Sequence, residues 1–238
     1  MPTPLPGFDP TSVCRDISTA LAIVDQWVAG RGNGAYVAEQ LDTIPGRYEL
    51  FPQYGIQQVR SELERFMHEI VRRGLGGTAL EVGLGHYGST HFVWRLLFER
   101  VVTVEYSPER VRAFVEEYQK FSGHWGGSDG RSSFVYGSSG DPKTVWKAFD
   151  AVGGPVDMLF IDGDHSYAAV MCDWLLYHKL VRRGGLVAFH DVATGAAYVS
   201  EAGEFVKRLE SGGVDGCTYD FTRIIQTPNS GIGFYEVP

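Results

Sequence analysis

The sequence predicts an α/β protein. Its core is a doubly wound, mostly parallel seven-stranded sheet with a C-terminal antiparallel hairpin, and an N-terminal helical extension precedes it. Three observations carry this. Short apolar strands alternate with helix-patterned segments from Thr78 to Asp191, the order that builds parallel sheets with right-handed crossovers. A glycine turn, Gly83-Leu84-Gly85-His86-Tyr87-Gly88, follows the first of those strands. The tail then carries two strands separated only by Thr227-Pro228-Asn229-Ser230, the spacing of a hairpin whose last strand runs against the others.

The elements follow in order. After a proline-rich start, Val13, Ile17, Leu21, Val24 and Val28 recur at helical spacing from Thr11-Ser12 until Gly30. A second helical face joins Ile56, Val59, Leu63, Phe66, Met67 and Ile70. Between them, Ile44–Tyr54 holds Tyr48, Phe51 and Tyr54, either a lid or aromatic packing of the extension onto the core. The division expected is an extension over 1–55 and a ligand-binding domain over 56–238. In that domain, strands are expected at 78–83, 101–106, 133–137, 156–162 and 185–191, the fourth being the most apolar and therefore central. Helices are expected over Ser89–Glu99, from Ser107-Pro108, from Asp141-Pro142 and from Tyr167 to Val181. Ser107 and Asp141 serve as N-caps, each with proline at the first helical position. The strands 218–226 and 231–237 form the hairpin, and Arg72-Arg73 and Arg182-Arg183 are read as closing helices.

The chain has 238 residues, 44% of them hydrophobic, enough for one sizeable core. Lys plus Arg is 21 against 29 Asp plus Glu, a formal net charge of −8. With no segregated basic patch, that charge speaks against a nucleic-acid partner. Cys14, Cys172 and Cys217 are scattered and form no CxxC, so neither a disulfide framework nor a cysteine zinc site is expected, and a reducing cytoplasm is. The start lacks a signal-peptide layout and no apolar run reaches membrane-spanning length, so the protein is expected to be soluble, with no membrane partner.

The glycine turn matches GxGxxG between strand and helix, and Glu105 ends the next strand twenty residues past Gly85. The turn fits a dinucleotide or S-adenosylmethionine: glycines admit the ligand to the backbone, and the acid binds ribose hydroxyls. Three features favour S-adenosylmethionine. Glu81 precedes the turn, where a carboxylate would attract a sulfonium or amino group and repel a pyrophosphate. The closing hairpin is a mark of methyltransferase sheets. No Tyr-x-x-x-Lys constellation for hydride transfer is present.

From about Ile56 to Val237 the chain resembles a class I S-adenosylmethionine-dependent methyltransferase, with a Rossmann-like fold. LEVGLGHYGST, MLFIDGDHSY and GGLVAFHD resemble in particular the bacterial small-molecule group that includes the macrocin O-methyltransferase and cephalosporin-modifying enzymes. The resemblance implies that Glu81, Gly83, Gly85 and Ser89 surround the methionine part of the cofactor and that Glu105 binds its ribose. It also implies that Gly137–Asp141 pass the adenine, with Ser138 or Asp141 meeting its amino group. Asp141 has a competing reading as the N-cap of the helix at Pro142.

Asp162, Asp164 and His165 lie past the end of the central strand, and His190 and Asp191 past the end of the next. In open α/β sheets the ligand crevice lies over such strand ends, so both groups should face one pocket. The alternative is loop caps and surface carboxylates. By resemblance, Asp162, Asp191 and His190 hold a divalent cation, magnesium or manganese, with Asp162 also at the cofactor. Histidine at 190 departs from the acid often found there and weakens the magnesium case; substrate contact or neutral packing stays open for it. By resemblance to macrolide sugar O-methyltransferases, His165 is the general base.

His86 could touch the cofactor, and His124-Trp125 could flank the acceptor. His68, His91 and His178 read as structural. The function expected is methyl transfer to a hydroxyl of a small molecule. A nicotinamide-dependent oxidoreductase and a non-catalytic S-adenosylmethionine-binding protein are the alternatives, and oligomeric state is left open.

Overall fold

In the computed structural model, residues 12–32, 34–36, 55–122, 130–193, 200–226 and 230–238 are described. Helix α1 (Ile17–Ala29) begins at Asp16, whose carboxylate accepts the Thr19 N–H at 2.7 Å, and stops at Gly30. The helix thus begins after Val13, the first residue of the apolar pattern. Helix α2 (Arg60–Arg72) is shorter than the apolar pattern predicts, because Ile56 is taken up in a β-bridge to Tyr36. The alternating region then runs β1 (Thr78–Val82), α3 (Ser89–Leu97), β2 (Arg100–Glu105), α4 (Pro108–Ser122), β3 (Ser132–Tyr136), α5 (Pro142–Val152), β4 (Val156–Ile161), α6 (Tyr167–Tyr177) and β5 (Val181–His190). Helix α7 (Ala202–Glu210) follows, then β6 (Thr222–Ile224) and β7 (Ile232–Glu236).

Three expectations need correction. Arg182-Arg183 do not close a helix but open β5; α6 stops at Tyr177 and only a 3₁₀ turn, His178–Leu180, precedes the strand. The strand expected over 218–226 is three residues long. Helix α7 was not predicted at all, although Ala202, Phe205, Val206 and Leu209 bury a helical stripe. The aromatic stretch 44–54, the pair His124-Trp125 and the turn residues 227–229 lie outside the described residues.

The sheet order is β3-β2-β1-β4-β5-β7-β6, with β7 antiparallel to both its neighbours and the other pairings parallel. The fourth strand is central, as its apolar run predicts. Strand alternation divides the core between the two faces of the sheet. Ala79, Val101, Met158, Phe160 and Ala188 join α1–α4 in one cluster, while Leu80, Val102, Leu159, Val187 and Phe189 join α5–α7 in the other. The chain leaves β1 towards β2 and β3, then crosses back to β4 and β5. The switch point therefore lies between β1 and β4, where ligands bind at the carboxyl ends of strands. Among the described residues no helix is long and apolar enough to cross a membrane.

Candidate active site

A cleft of about 650 Å³ opens over that switch point, lined among others by Gly83, Gly85, His86, Glu105, Ser138, Asp162, His165, His190 and Asp191. Gly83 and Gly85 have φ of 92° and 68°, a left-handed region that favours glycine. A side chain on Gly83 would also collide with the Asp162 carbonyl, so the loop packs backbone to backbone against the end of β4. Glu105 is held by two backbone donors, Leu84 N–H to Oε2 and Ser107 N–H to Oε1, each at 2.9 Å. Its remaining lone pairs border the cleft, as a diol-binding acid requires.

Two residues expected at the cofactor, Glu81 and Asp141, sit away from the cleft, whereas Ser89 lines a smaller pocket beside the glycine turn. Glu81 lies on the same strand face as Ala79, under α3, and is fully buried. It accepts Trp94 Nε1–H at 3.1 Å and the Thr103 hydroxyl at 2.6 Å, and His91, stationed 2.7 Å from Thr103 and 2.9 Å from Ser132, completes this internal network. Burial, partly offset by Glu81, holds His91 below the ordinary histidine value. Glu81 is thus satisfied within the core, and its charge is spent on Trp94 and Thr103 rather than on the cleft. Ser89 donates to the Gly55 carbonyl at 2.5 Å and accepts Trp27 Nε1–H at 2.9 Å. Asp141 caps α5 through the Lys143 N–H at 2.7 Å and does not line the cleft, which is its competing reading.

All five strand-end residues line the one cleft, as expected. Asp164 accepts the Ser166 N–H at 2.8 Å, and the other four lie against one another. Asp162 Oδ1 lies 3.2 Å from His190 Nδ1 and 3.5 Å from His165 Nε2. Asp191 places Oδ1 3.2 Å from the same His190 nitrogen and Oδ2 3.1 Å from His165 Nδ1. Asp191 does so from φ 57°, a left-handed conformation for a residue with a side chain, the strain that collects at functional sites. Burial works against charge throughout the cluster, and mutual attraction overcomes it. Burial alone would lower His190, yet Asp191 and Asp162 push it up to about 10. His165 is likewise lowered by burial but raised overall by Asp162 and Asp191. Asp162, raised by burial, ends well below the usual carboxylate range because of His190 and His165.

Geometry redraws the metal candidates. Among the described residues, Asp162, His165 and Asp191 each present one ligand atom within 4.8 Å of the others. His190 is committed instead: Nδ1 faces both carboxylates and Nε2 is 3.3 Å from Ser230 Oγ. Sequence reasoning missed Gln58, which donates to Asp162 Oδ2 at 3.1 Å, and Ser230. The one signal available for Gln58 was a polar residue interrupting the apolar run into α2.

Residues 80–192 match the family described as a methyltransferase domain. The uncharacterized protein R132 of Acanthamoeba polyphaga mimivirus is 41% identical over 49 residues, 21% of this chain; the match spans 22% of that protein's length. Among solved structures, cofactor-bound Rv0187 from MTB is similar with TM-score 0.56 and 19% identity, covering 100% of this chain and 98% of that one. SAH-bound Podospora anserina methyltransferase PaMTH1 gives TM-score 0.57 and 15% identity over 92% and 88%. The O-methyltransferase TomG from Streptomyces achromogenes, in complex with SAM, gives TM-score 0.56 and 16% identity over 92% and 90%. At these identities the structural likeness is one of fold. The match to a methyltransferase domain over residues 80–192 spans β1 to the end of β5 and includes most of the residues that line this cleft.

Proposed function

We propose that the protein transfers a methyl group from S-adenosylmethionine to a hydroxyl of a small molecule, with His165 as general base. The observation that carries this reading is the convergence of Asp162, His165, His190 and Asp191 on one cleft with the glycine turn and Glu105. The residues fit the donor. Beside the turn, Gln58 Oε1 and His86 Nδ1 are buried acceptor sites without a partner among the described residues, available to a polar ligand. Glycines 83 and 85, Glu105, Ser138 and Asp162 would hold it. The donor supplies an activated methyl group, which leaves the protein to align the acceptor and remove one proton.

His165 suits the second task. Asp191 lies 3.1 Å from Nδ1, the closer of the two carboxylate contacts, which leaves Nε2, 3.5 Å from Asp162, to exchange a proton with the acceptor. The side chain keeps 27% of its surface exposed while lining the cleft. The carboxylates raise its affinity for protons, so the rate should rise with pH through a limb above the ordinary histidine value. The name of TomG, an O-methyltransferase, agrees with an oxygen acceptor, and the net charge of −8 argues against a phosphodiester one.

A second reading replaces the base by a divalent cation held by Asp162, His165 and Asp191. Two carboxylates and an imidazole fit manganese or iron better than magnesium. When bound, such an ion would lower the pKa of the acceptor hydroxyl.

Calorimetric titration with SAH, S-adenosylmethionine and NAD(H) tests the cofactor. Micromolar binding of the first two and none of NAD(H) is expected; binding of NAD(H) alone would overturn the reading. His165→Ala should keep SAH binding and lose methyl transfer by about 10²–10⁴-fold. Full transfer by that variant would remove His165 as the base. Loss of activity on chelation, restored by manganese, is what the second reading requires.

A further inference from the structure

Around the start of α2, two buried polar side chains link to the strand-end cluster, Gln58 directly and Glu62 through Ser230. Gln58 donates to Asp162 Oδ2 at 3.1 Å. One turn later, Glu62 is 1% exposed and accepts three hydrogen bonds: Gln226 N–H at 2.6 Å on Oε1, and the Ser230 hydroxyl at 2.9 Å and Gly231 N–H at 3.1 Å on Oε2. Because Ser230 gives its own proton to Glu62, its oxygen has only lone pairs to offer His190 Nε2, 3.3 Å away. The other ring nitrogen of His190 faces two carboxylates, which also only accept. Each ring nitrogen of His190 therefore faces an oxygen acceptor, and the ring is fixed at both ends.

We propose that Glu62, acting through Ser230, and Gln58 are positioning residues for the cleft: they lock His190 between Asp162 and Asp191 and so set the two carboxylates that orient His165. This rests on the reading of His165 as the proton acceptor, but its geometry can be tested without any methyl acceptor. A carboxylate is suited to the task because it satisfies two backbone donors flanking the C-terminal hairpin and still takes the hydroxyl proton. The residues come from three distant parts of the chain, so the relay forms only when α2, β5 and the hairpin are all in place.

The test uses the full chain with its histidine ring nitrogens isotopically labelled, studied by NMR with and without SAH. Signals of His190 are assigned by their loss in His190→Gln. In the wild type, the His190 ring proton that faces Ser230 should exchange slowly. Ser230→Ala leaves Glu62 its two backbone partners; it should shift the Nε2 signal and speed exchange of that proton about tenfold. Ser230→Thr should restore both, Glu62→Gln should reproduce the Ser230→Ala spectrum, and Gln58→Met should move the His165 signals through Asp162. His190 signals unmoved in both Ser230→Ala and Glu62→Gln would overturn the proposal. Absence of SAH binding would overturn the methyltransferase reading instead, and the spectra without SAH would still judge the relay.

Discussion

Asp173 shows how one carboxylate senses its surroundings. It is 1% exposed on α6, accepts the Ser139 hydroxyl, and has no partner for Oδ2 among the described residues. Burial raises its pKa to about 6, Asp164 adds to the rise, and the Ser139 hydrogen bond opposes it. A carboxyl whose folded pKa exceeds its unfolded one holds its proton longer when folded, so stability is lost as pH rises from about 4 to about 6. In Asp173→Asn this loss disappears. The stability of the variant relative to wild type should therefore rise by up to about 3 kcal/mol between pH 4 and pH 7, whatever its offset. Urea unfolding at both pH values measures it, and a difference that does not change with pH would contradict the assignment. At this scale the sequence was readable where a residue follows a strand: Glu105, Asp162, His165 and Asp191 all reach the cleft. It misled at Glu81, inside a strand, where alternation turned the side chain under α3. Glu62 and Ser230 were illegible because their partners lie 168 positions apart, beyond any local pattern.

Among the elements, α5 gives the clearest separation of structural from ligand-binding roles. Its N-cap Asp141 takes the Lys143 N–H, and Pro142 occupies the first turn. Asp141→Ala should cost about 1 kcal/mol while leaving SAH affinity within about twofold. A larger loss of SAH binding would return Asp141 to the adenine. Most elements were legible because their apolar residues form short continuous runs in β2 and β4 or follow a period of 3.6 in α1 and α2. Helix α7 escaped notice because its nine residues sit between a glycine- and alanine-rich stretch and Ser211-Gly212-Gly213, and its stripe spans barely two turns. Where α2 begins could not be read either, since Ile56 belongs to the apolar pattern yet pairs with Tyr36.

At the scale of the whole molecule, Trp27 ties α1 to α3 and the central sheet. Its ring is fully buried, stacks on Phe92 with centroids 4.3 Å apart and carries the Arg31 guanidinium 3.3 Å from its centre. Its Nε1–H reaches Ser89 at the start of α3. Trp27→Ala should cost about 3–5 kcal/mol, and Trp27→Phe, which chiefly removes the hydrogen bond, about 1 kcal/mol; chemical denaturation distinguishes them. Equal, small losses would mean that α1 is not integral to the core. The fold class and strand order were legible as a whole because alternating elements leave few topologies open. The insertion of β7 between β5 and β6 has a consequence for how the chain is made. During synthesis β5 emerges long before β7, and β6, which comes between them, cannot pair with it in this topology. The edge Leu186–His190 must therefore stay open while residues 191–231 are added, a template for pairing with any other nascent strand. The last strand to arrive is the one that seals the sheet against its neighbours in the cell.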